Sequence, residues 1–177
     1  MGLDRRKIYI IILLVIFTSS ILILFTPHLL NLFMGLGGDV GDIVVVDLDT
    51  GIRDRFRNFL GRRNLVIFID NTRDENYRGI VDKVYMLRGI IMDRGFTIIF
   101  ILSKGDRATL LNYLNSEPEK FTAFRWLHDD RGLIALKLGI KVAQSKMYYV
   151  ERDTWRIIEI GDASTPDDVI ISRLSGI

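Results

Sequence analysis

A run of polar side chains follows a strongly apolar segment near the middle of the chain. Residues 65–69 read LVIFI, which is typical of a buried β-strand, and residues 70–75 read DNTRDE. Ligand sites of α/β proteins gather beyond the carboxyl ends of strands, so these side chains are the first candidates for a functional site. Their oxygen atoms could hold a divalent cation or bind the backbone of a partner. Helix capping explains them more simply, with Asn71 or Thr72 as the N-cap and Asp74 and Glu75 in the first turn.

A second pair of carboxylates lies in the segment VVVDLDTG, residues 44–51. It resembles the aspartyl-phosphate motif D-x-D-x-[TV] of haloacid-dehalogenase-type phosphatases, in which Asp47 would be the nucleophile and Asp49 the acid/base. The magnesium ligands of that reaction would be Asp129 and Asp130. However, Gly51 stands where this motif has Thr or Val, and DLDTG is also typical of a turn. The phosphatase therefore remains an alternative and not the main interpretation.

Other metal and redox chemistry is limited by the composition. The chain contains no cysteine, which excludes thiol–disulfide exchange, disulfides, zinc–thiolate sites and iron–sulfur clusters. His128 lies beside two aspartates in WLHDDRG, but a strand end followed by a turn and a helix cap accounts for this segment. The 24 basic and 22 acidic residues leave no large positive surface for nucleic acid. We expect no cofactor, no metal site and no nucleic-acid partner.

The N-terminal segment predicts a membrane anchor. Residues 8–25 carry no charge, and the apolar character continues to Met34, so we predict a transmembrane helix over residues 8–34. Arg5, Arg6 and Lys7 precede it, whereas residues 8–52 contain no Lys or Arg. The positive-inside rule then puts residues 1–7 in the cytoplasm and, after a linker at 35–41, puts residues 42–177 outside it. A cleaved signal peptide and a buried core helix are the alternatives.

The elements that would position the polar residues follow an α/β pattern. Tyr77 to Ile91 carries apolar residues at steps of three and four, which predicts a helix that ends at Gly95. Further helices are predicted at 107–115 with Asp106 as N-cap, at 132–138, and from STPDD onward with Ser164 or Thr165 as the cap and Pro166 in the first helical position. Strand-like runs begin at Ile43, Leu65, Phe96, Ala123, Met147 and Trp155. This order predicts a parallel βαβ half followed by an antiparallel hairpin and a closing helix.

Several segments in this order resemble thioredoxin-like domains of the peroxiredoxin and membrane-anchored thioredoxin type. The matching segments are DLDTGIRDRFRNFLGRRNLVIFI, RGFTIIFILSKGDRATLLNYL, WLHDDRGLIALKLGI and MYYVERDTWRIIEIGD. The resemblance covers about residues 42–168 and implies a thioredoxin-like mixed sheet that starts with a hairpin. It also implies that Thr72 or Arg73 stands where the nucleophilic cysteine would be, with Asn76 near the second cysteine. Gln144 or Ser145 occupies the position of the family's cis-proline, where we expect a trans peptide.

The resemblance without its thiols predicts a redox-inactive protein that works by binding. The expected role is an accessory or assembly subunit of a membrane complex, with a holdase-like chaperone for exported proteins as a further alternative to the phosphatase. The predicted contact residues are Asn71, Thr72, Arg73, Asn76, Gln144 and Ser145. The absence of cysteine and the 17 Arg against 7 Lys are compatible with a thermophilic source.

Overall fold

The computed structural model describes residues 39–74 and 76–177. The strands in these residues are β1 (Val44–Asp47), β2 (Arg53–Arg55), β3 (Arg63–Ile69), β4 (Phe96–Ser103), β5 (Arg125–Asp129), β6 (Lys146–Glu151) and β7 (Ile157–Asp162). The helices are α1 (Phe56–Phe59), α2 (Tyr77–Asp93), α3 (Arg107–Ser116), α4 (Pro118–Ala123), α5 (Leu133–Lys137) and α6 (Asp167–Ser175), with a short 3₁₀ helix at Val40–Asp42.

The seven strands form one mixed sheet in the order β2-β1-β5-β4-β3-β6-β7. Strands β5, β4 and β3 run parallel to one another, whereas β6 is antiparallel to β3 and β7 is antiparallel to β6. On the other side, β1 is antiparallel to both β5 and β2. The predicted mixed sheet, with a parallel half and a C-terminal hairpin, is therefore confirmed.

Helices cover both faces of this sheet because the central strands are apolar on both faces. In β3, Leu65 and Ile67 belong to the core that includes α2, α3 and α6. Their neighbours Val66 and Phe68 belong to the core that includes α1 and α5. Side chains of adjacent strand residues point to opposite faces, and each such buried residue contributes about 1.5–3 kcal/mol. The rigid centre of the sheet thus holds the loops at its edges in place.

Each core contains one of the two tryptophans. Trp126 of β5 is buried in the first core and stacks on Phe100 with 4.3 Å between ring centroids. Trp155 packs against the second core and stacks on Phe56 at 6.0 Å. Aromatic pairs in this range add to the stability gained by burial alone.

Most of the predicted helices are confirmed. Gly95 follows α2 with φ of 78° and donates its N–H to Met92 O at 2.8 Å, as a C-terminal glycine should. The Asp106 carboxylate accepts from the N–H groups of Ala108 and Thr109 and so caps α3.

The predicted start of the last helix is wrong by one residue. Pro166 is the N-cap of α6 and not its first helical residue, and no side chain caps this helix. The hydroxyl groups of Ser164 and Thr165 instead donate to the Asp162 carboxylate at 2.7 and 3.1 Å. Both candidate caps are therefore engaged in the turn that precedes the helix. Helix α4 was not predicted at all.

The predicted membrane span at 8–34, the cytoplasmic tail and the linker up to Gly38 lie outside the described residues. Within residues 39–74 and 76–177, no helix combines the length and apolar character needed to cross a bilayer.

Candidate partner-binding site

Three chain segments meet at one edge of the sheet. Strands β3 and β4 are parallel and in register, with Ile69 opposite Leu102, so their carboxyl ends lie side by side. Strand β6 is antiparallel to β3, with Phe68 opposite Lys146, so its amino end lies at the same edge. The polar run after β3 therefore lies between the loop that follows β4 and the loop that precedes β6.

Asp70 organises the first turn of the polar run. Its side chain is only 5% exposed, and its Oδ1 accepts from the N–H of Thr72 at 3.2 Å and from the Thr72 hydroxyl at 2.6 Å. Arg73 Nε lies 3.3 Å from Asp70 Oδ2. The two residues that stand in place of the nucleophilic cysteine are thus turned back onto a buried carboxylate. Neither a hydroxyl nor a guanidinium can exchange with a disulfide.

Asn71 links the polar run to the loop after β4. Its Nδ2 donates to Asp106 O at 2.8 Å, and its Oδ1 accepts from the N–H of Asp106 at 2.7 Å. This pair of bonds joins residues 35 positions apart. Asn71 therefore holds two loops together and does not cap the helix that follows it.

Asp74 links the polar run to the loop before β6. Its Oδ2 accepts from the N–H of Ser145 at 2.7 Å, and its Oδ1 accepts from the N–H of Asn76 at 3.0 Å. Helix α2 begins only at Tyr77, with Asn76 at the N-cap and no side-chain cap bond. The prediction that Asn71 or Thr72 caps this helix, with Asp74 in its first turn, is therefore wrong.

Ser145, one of the two residues that the resemblance puts at the position of the family's cis-proline, is buried. Ser145 is 4% exposed, and its Oγ has no hydrogen-bond partner among the described residues. No cis peptide bond occurs in residues 39–74 or 76–177, in line with the expected trans peptide. The backbone at Ser145 is instead held by the Asp74 carboxylate.

A cleft of about 220 Å³ opens between the polar run and the β7–α6 turn, and we call it the acidic cleft. It is lined by Asp74, Asn76, Ile80, Gln144, Ser145, Asp162, Ala163 and Ser164. Hydrogen bonds from Ser164 and Thr165 hold the pKa of Asp162 below its usual value, although partial burial opposes them. The cleft thus places two carboxylates beside the amide of Gln144 and the buried hydroxyl of Ser145.

A second cleft of about 370 Å³ lies on the other side of the polar run, and we call it the basic cleft. Its charged lining residues are Asp70, Arg73, Lys104 and Lys141. Ser103 and Gly132 also line it, and apolar residues between Ala135 and Ala143 form the rest of its wall.

Four of the six predicted contact residues line one of the two clefts, and the other two line neither. Asn76, Gln144 and Ser145 line the acidic cleft, and Arg73 lines the basic cleft. Asn71 and Thr72 line neither and make the internal bonds described above. Lys104 and Lys141 were not predicted, although the sequence ILSK, with a lysine directly after a strand, was a usable signal for Lys104.

The alternative phosphatase site has the geometry of a turn. Asp47 Oδ1 accepts from the N–H groups of Asp49 and Thr50 at 3.0 and 3.2 Å, and β1 is antiparallel to both neighbouring strands. No three His, Cys, Asp or Glu side chains of the described part of the chain are grouped so that they could hold a metal ion. This arrangement does not favour an aspartyl-phosphate mechanism.

The segment around His128 ends a strand and caps a helix. Burial lowers the pKa of His128, and the buried Asp129 accepts from the N–H of Ile134 in α5 at 2.8 Å. Burial also raises the pKa of Asp129, while backbone hydrogen bonds from Ile134 and Leu133 oppose that increase. The segment has the predicted strand-end and helix-cap geometry.

Comparison with solved structures identifies the fold. The peroxidoxin BcpB of Mycobacterium tuberculosis is 15% identical with a TM-score of 0.59, and the match covers 80% of this chain and 96% of that chain. The exposed lipoprotein thioredoxin of Streptococcus pneumoniae is 12% identical with a TM-score of 0.57, covering 77% and 99%. A secreted disulfide oxidoreductase of M. tuberculosis is 13% identical with a TM-score of 0.53, covering 78% and 98%.

The chain therefore has the thioredoxin-like fold found in thiol–disulfide oxidoreductases and peroxiredoxins, and it contains no cysteine. No protein-family model and no curated protein matches it. At these identities the similarity extends to the fold alone.

Proposed function

We propose that this chain is a redox-inactive thioredoxin-like protein that works by binding, as an accessory or assembly subunit of a membrane complex. The observation that carries the proposal is the polar run at the sheet edge. Where the resemblance puts reactive thiols, Thr72 and Arg73 contact Asp70, and Asn76 lies at the N-cap of α2. These side chains can donate and accept hydrogen bonds but cannot carry out thiol chemistry.

The loops around the acidic cleft are held in place before any partner binds. Asn71 fixes the polar run to Asp106, and Asp74 fixes it to Ser145. A binding surface that is already ordered loses less conformational entropy on association, which favours affinity. The exposed side chains of Asn76 and Gln144 give such a surface polar groups for a polypeptide partner.

The proposal includes a membrane anchor at residues 8–34, with the thioredoxin-like domain outside the cytoplasm. The chain has no cysteine, so one introduced cysteine would be a unique label. We expect Asp153→Cys to react with a membrane-impermeant maleimide in intact cells, and Gly2→Cys to react only after lysis. The reverse pattern would contradict the proposed orientation, and equal labelling of both before lysis would contradict the anchor.

Association with a fixed set of partners is the central test. The tagged full chain would be purified in mild detergent from its native membranes, and co-purifying proteins would be quantified by mass spectrometry. We expect Asn76→Arg with Gln144→Arg to lose these partners, because both exposed side chains line the acidic cleft. Asn115→Arg is the matched control, since Asn115 is exposed on α3 and makes no side-chain hydrogen bond within the described residues.

Four results would count against the proposal. If the unaltered chain enriched no protein, the proposed role as a subunit would be contradicted. If all variants enriched the same proteins equally, the acidic cleft would not be the contact site. Recovery of a broad set of unfolded exported proteins would support the holdase alternative. Magnesium-dependent hydrolysis of an aryl phosphate that Asp47→Asn abolishes would support the phosphatase.

A further inference from the structure

We infer that the basic cleft binds an acidic segment of a partner polypeptide, with apolar side chains next to its carboxylates. The inference rests on the proposed function, because it names the chemistry of the partner that the same sheet edge would bind.

The lining of the basic cleft has an excess of positive charge. Arg73, Lys104 and Lys141 line it, and Asp70 is its one carboxylate. The Asp70 side chain is 5% exposed and already receives the Thr72 hydroxyl and Arg73 Nε, so it offers little negative charge to a ligand. Lys104 and Lys141 form no ion pair within residues 39–74 and 76–177.

This charge is local. Of the 24 basic residues in the chain, three precede Ile8 and none lies between residues 8 and 52, whereas one of the 22 acidic residues precedes Ile8. The rest of the chain therefore holds as many basic as acidic residues. A positive cleft on a neutral domain favours one class of ligand at one place and does not produce general attraction to polyanions.

Lys104 has an unusual backbone conformation, and its side chain packs across Gly132. Its φ is 61°, a left-handed conformation that is uncommon for residues other than glycine and that clusters at functional positions. A Cβ on Gly132 would lie 2.9 Å from both Cγ and Cε of Lys104, so the lysine stem runs directly across that glycine. The stem of Lys104 thus packs across Gly132 at the basic cleft.

The rest of the lining is largely apolar and partly exposed. Leu136 is 51% exposed, and Ile140 and Val142 are half-buried next to Lys141. A small inorganic anion would leave this surface in water. A chain segment that alternates carboxylates with aliphatic side chains would cover it and pair with Lys104 and Lys141 as well.

A separate hollow adjoins the basic cleft, which favours an elongated ligand. A further hollow of about 430 Å³ shares Ile140 and Lys141 with the basic cleft and reaches Tyr148 and Ile157. Both spaces are lined by the same chain segment. A polypeptide can extend over that segment, whereas a compact anion cannot.

The test uses the full chain in mild detergent and two fluorescein-labelled peptide amides, LEIDL and its uncharged isostere LQINL. We expect fluorescence anisotropy to show saturable binding of LEIDL that weakens with added salt, and at least about tenfold weaker binding of LQINL. Lys104→Glu with Lys141→Glu should lose at least about tenfold in affinity for LEIDL, and Lys104→Arg should retain binding. Arg152→Glu is the matched control, because Arg152 is exposed in the β6–β7 turn at the other end of β6.

The inference would be overturned by any of three results. These are no binding of LEIDL, equal binding of both peptides, and binding that the double lysine variant leaves unchanged while circular dichroism shows it to be folded. Displacement of LEIDL by octanoate at lower concentrations than by unlabelled LEIDL would assign the cleft to fatty acids and would also overturn it.

Failure of the cleft and failure of the proposed function give different results. Partners that still co-purify with the double lysine variant would overturn the acidic-segment inference and leave the proposed function intact. A chain that binds LEIDL through Lys104 and Lys141 but enriches no membrane protein would overturn the proposed function. The inference that the basic cleft binds an acidic segment would then still stand.

Discussion

The hydrogen bond from Ser145 to Asp74 gives the sharpest test of how the sheet edge is built. Asp74→Ala would leave the N–H of the 4% exposed Ser145 without its acceptor, which lies at 2.7 Å in the native chain. An unsatisfied buried donor costs about 1–3 kcal/mol, and loss of the more exposed bond from the N–H of Asn76 adds about 0.5 kcal/mol or more. We therefore expect the free energy of unfolding to fall by about 1.5–3.5 kcal/mol.

The measurement is urea unfolding of the full chain in mild detergent, followed by far-UV circular dichroism. For a chain of this length the loss corresponds to a decrease in Tm of about 5–10 °C. Amide hydrogen exchange at Ser145 gives a local readout, and we expect its protection to decrease in the variant. Asp74→Asn keeps one carbonyl oxygen as an acceptor, so it should cost about half as much.

Asp153→Ala is the control for this prediction. Asp153 is exposed in the β6–β7 turn, and its side chain makes no ion pair or hydrogen bond within the described part of the chain, so its removal should change stability by less than about 0.5 kcal/mol. If Asp74→Ala costs no more than Asp153→Ala, and protection of the Ser145 amide stays the same, then the bond does not hold the two loops together. The account of a pre-ordered acidic cleft would then be wrong.

Three further predictions concern the surrounding residues. Asn71→Ala removes both bonds to the Asp106 backbone and should cost about 1–2 kcal/mol, with faster amide exchange at Asp106 as the readout. Gly132→Ala puts a side chain at φ of 63° and into the path of Lys104, so it should cost about 1–2 kcal/mol and weaken binding of LEIDL, as urea unfolding and anisotropy would show. Burial raises the pKa of Asp129 above its ordinary 3.8, so the unfolded chain releases this proton first and stability falls as pH rises from 3.8 through the folded pKa. In urea unfolding measured between about pH 3.5 and 6, Asp129→Asn should remove the part of the decrease in unfolding free energy that comes from this carboxyl group. An unchanged pH profile would mean that other groups cause the decrease.

The sequence predicts the sheet and the long helices well because their signals are local. The apolar runs of β3 and β4 and the three-and-four spacing in α2 are visible in windows of fewer than twenty residues. Asp106 as a cap and Gly95 as a helix end are confirmed for the same reason. Helix α4 was not predicted, although Pro118 at its start is a known signal for a first helical position.

The sequence does not predict the contacts of the polar run, because the hydrogen bonds that hold it are not local. The partner of Asn71 is 35 residues away, and the partner of Asp74 is 71 residues away. Capping rules consider only the next few residues, and by those rules DNTRDE is a good helix start. Only the order of the strands brings the loops after β3 and β4 together with the loop before β6.

The basic cleft was missed for a similar reason. Arg73, Lys104 and Lys141 lie on three separate loops, and the chain between them has no unusual net charge. The left-handed backbone of Lys104 is also not encoded by a residue type that favours it. A cluster of this kind becomes visible only when the register of the sheet is known.

The placement of Trp126 and Trp155 in different cores gives the chain two natural optical probes. These are its only tryptophans, so Trp155→Phe would leave the indole stacked on Phe100, and Trp126→Phe would leave the indole stacked on Phe56. Fluorescence emission would then report separately on the packing of each face of the sheet. Denaturation followed through the two single-tryptophan variants can thus reveal whether both layers are lost in one cooperative step or one layer opens before the other.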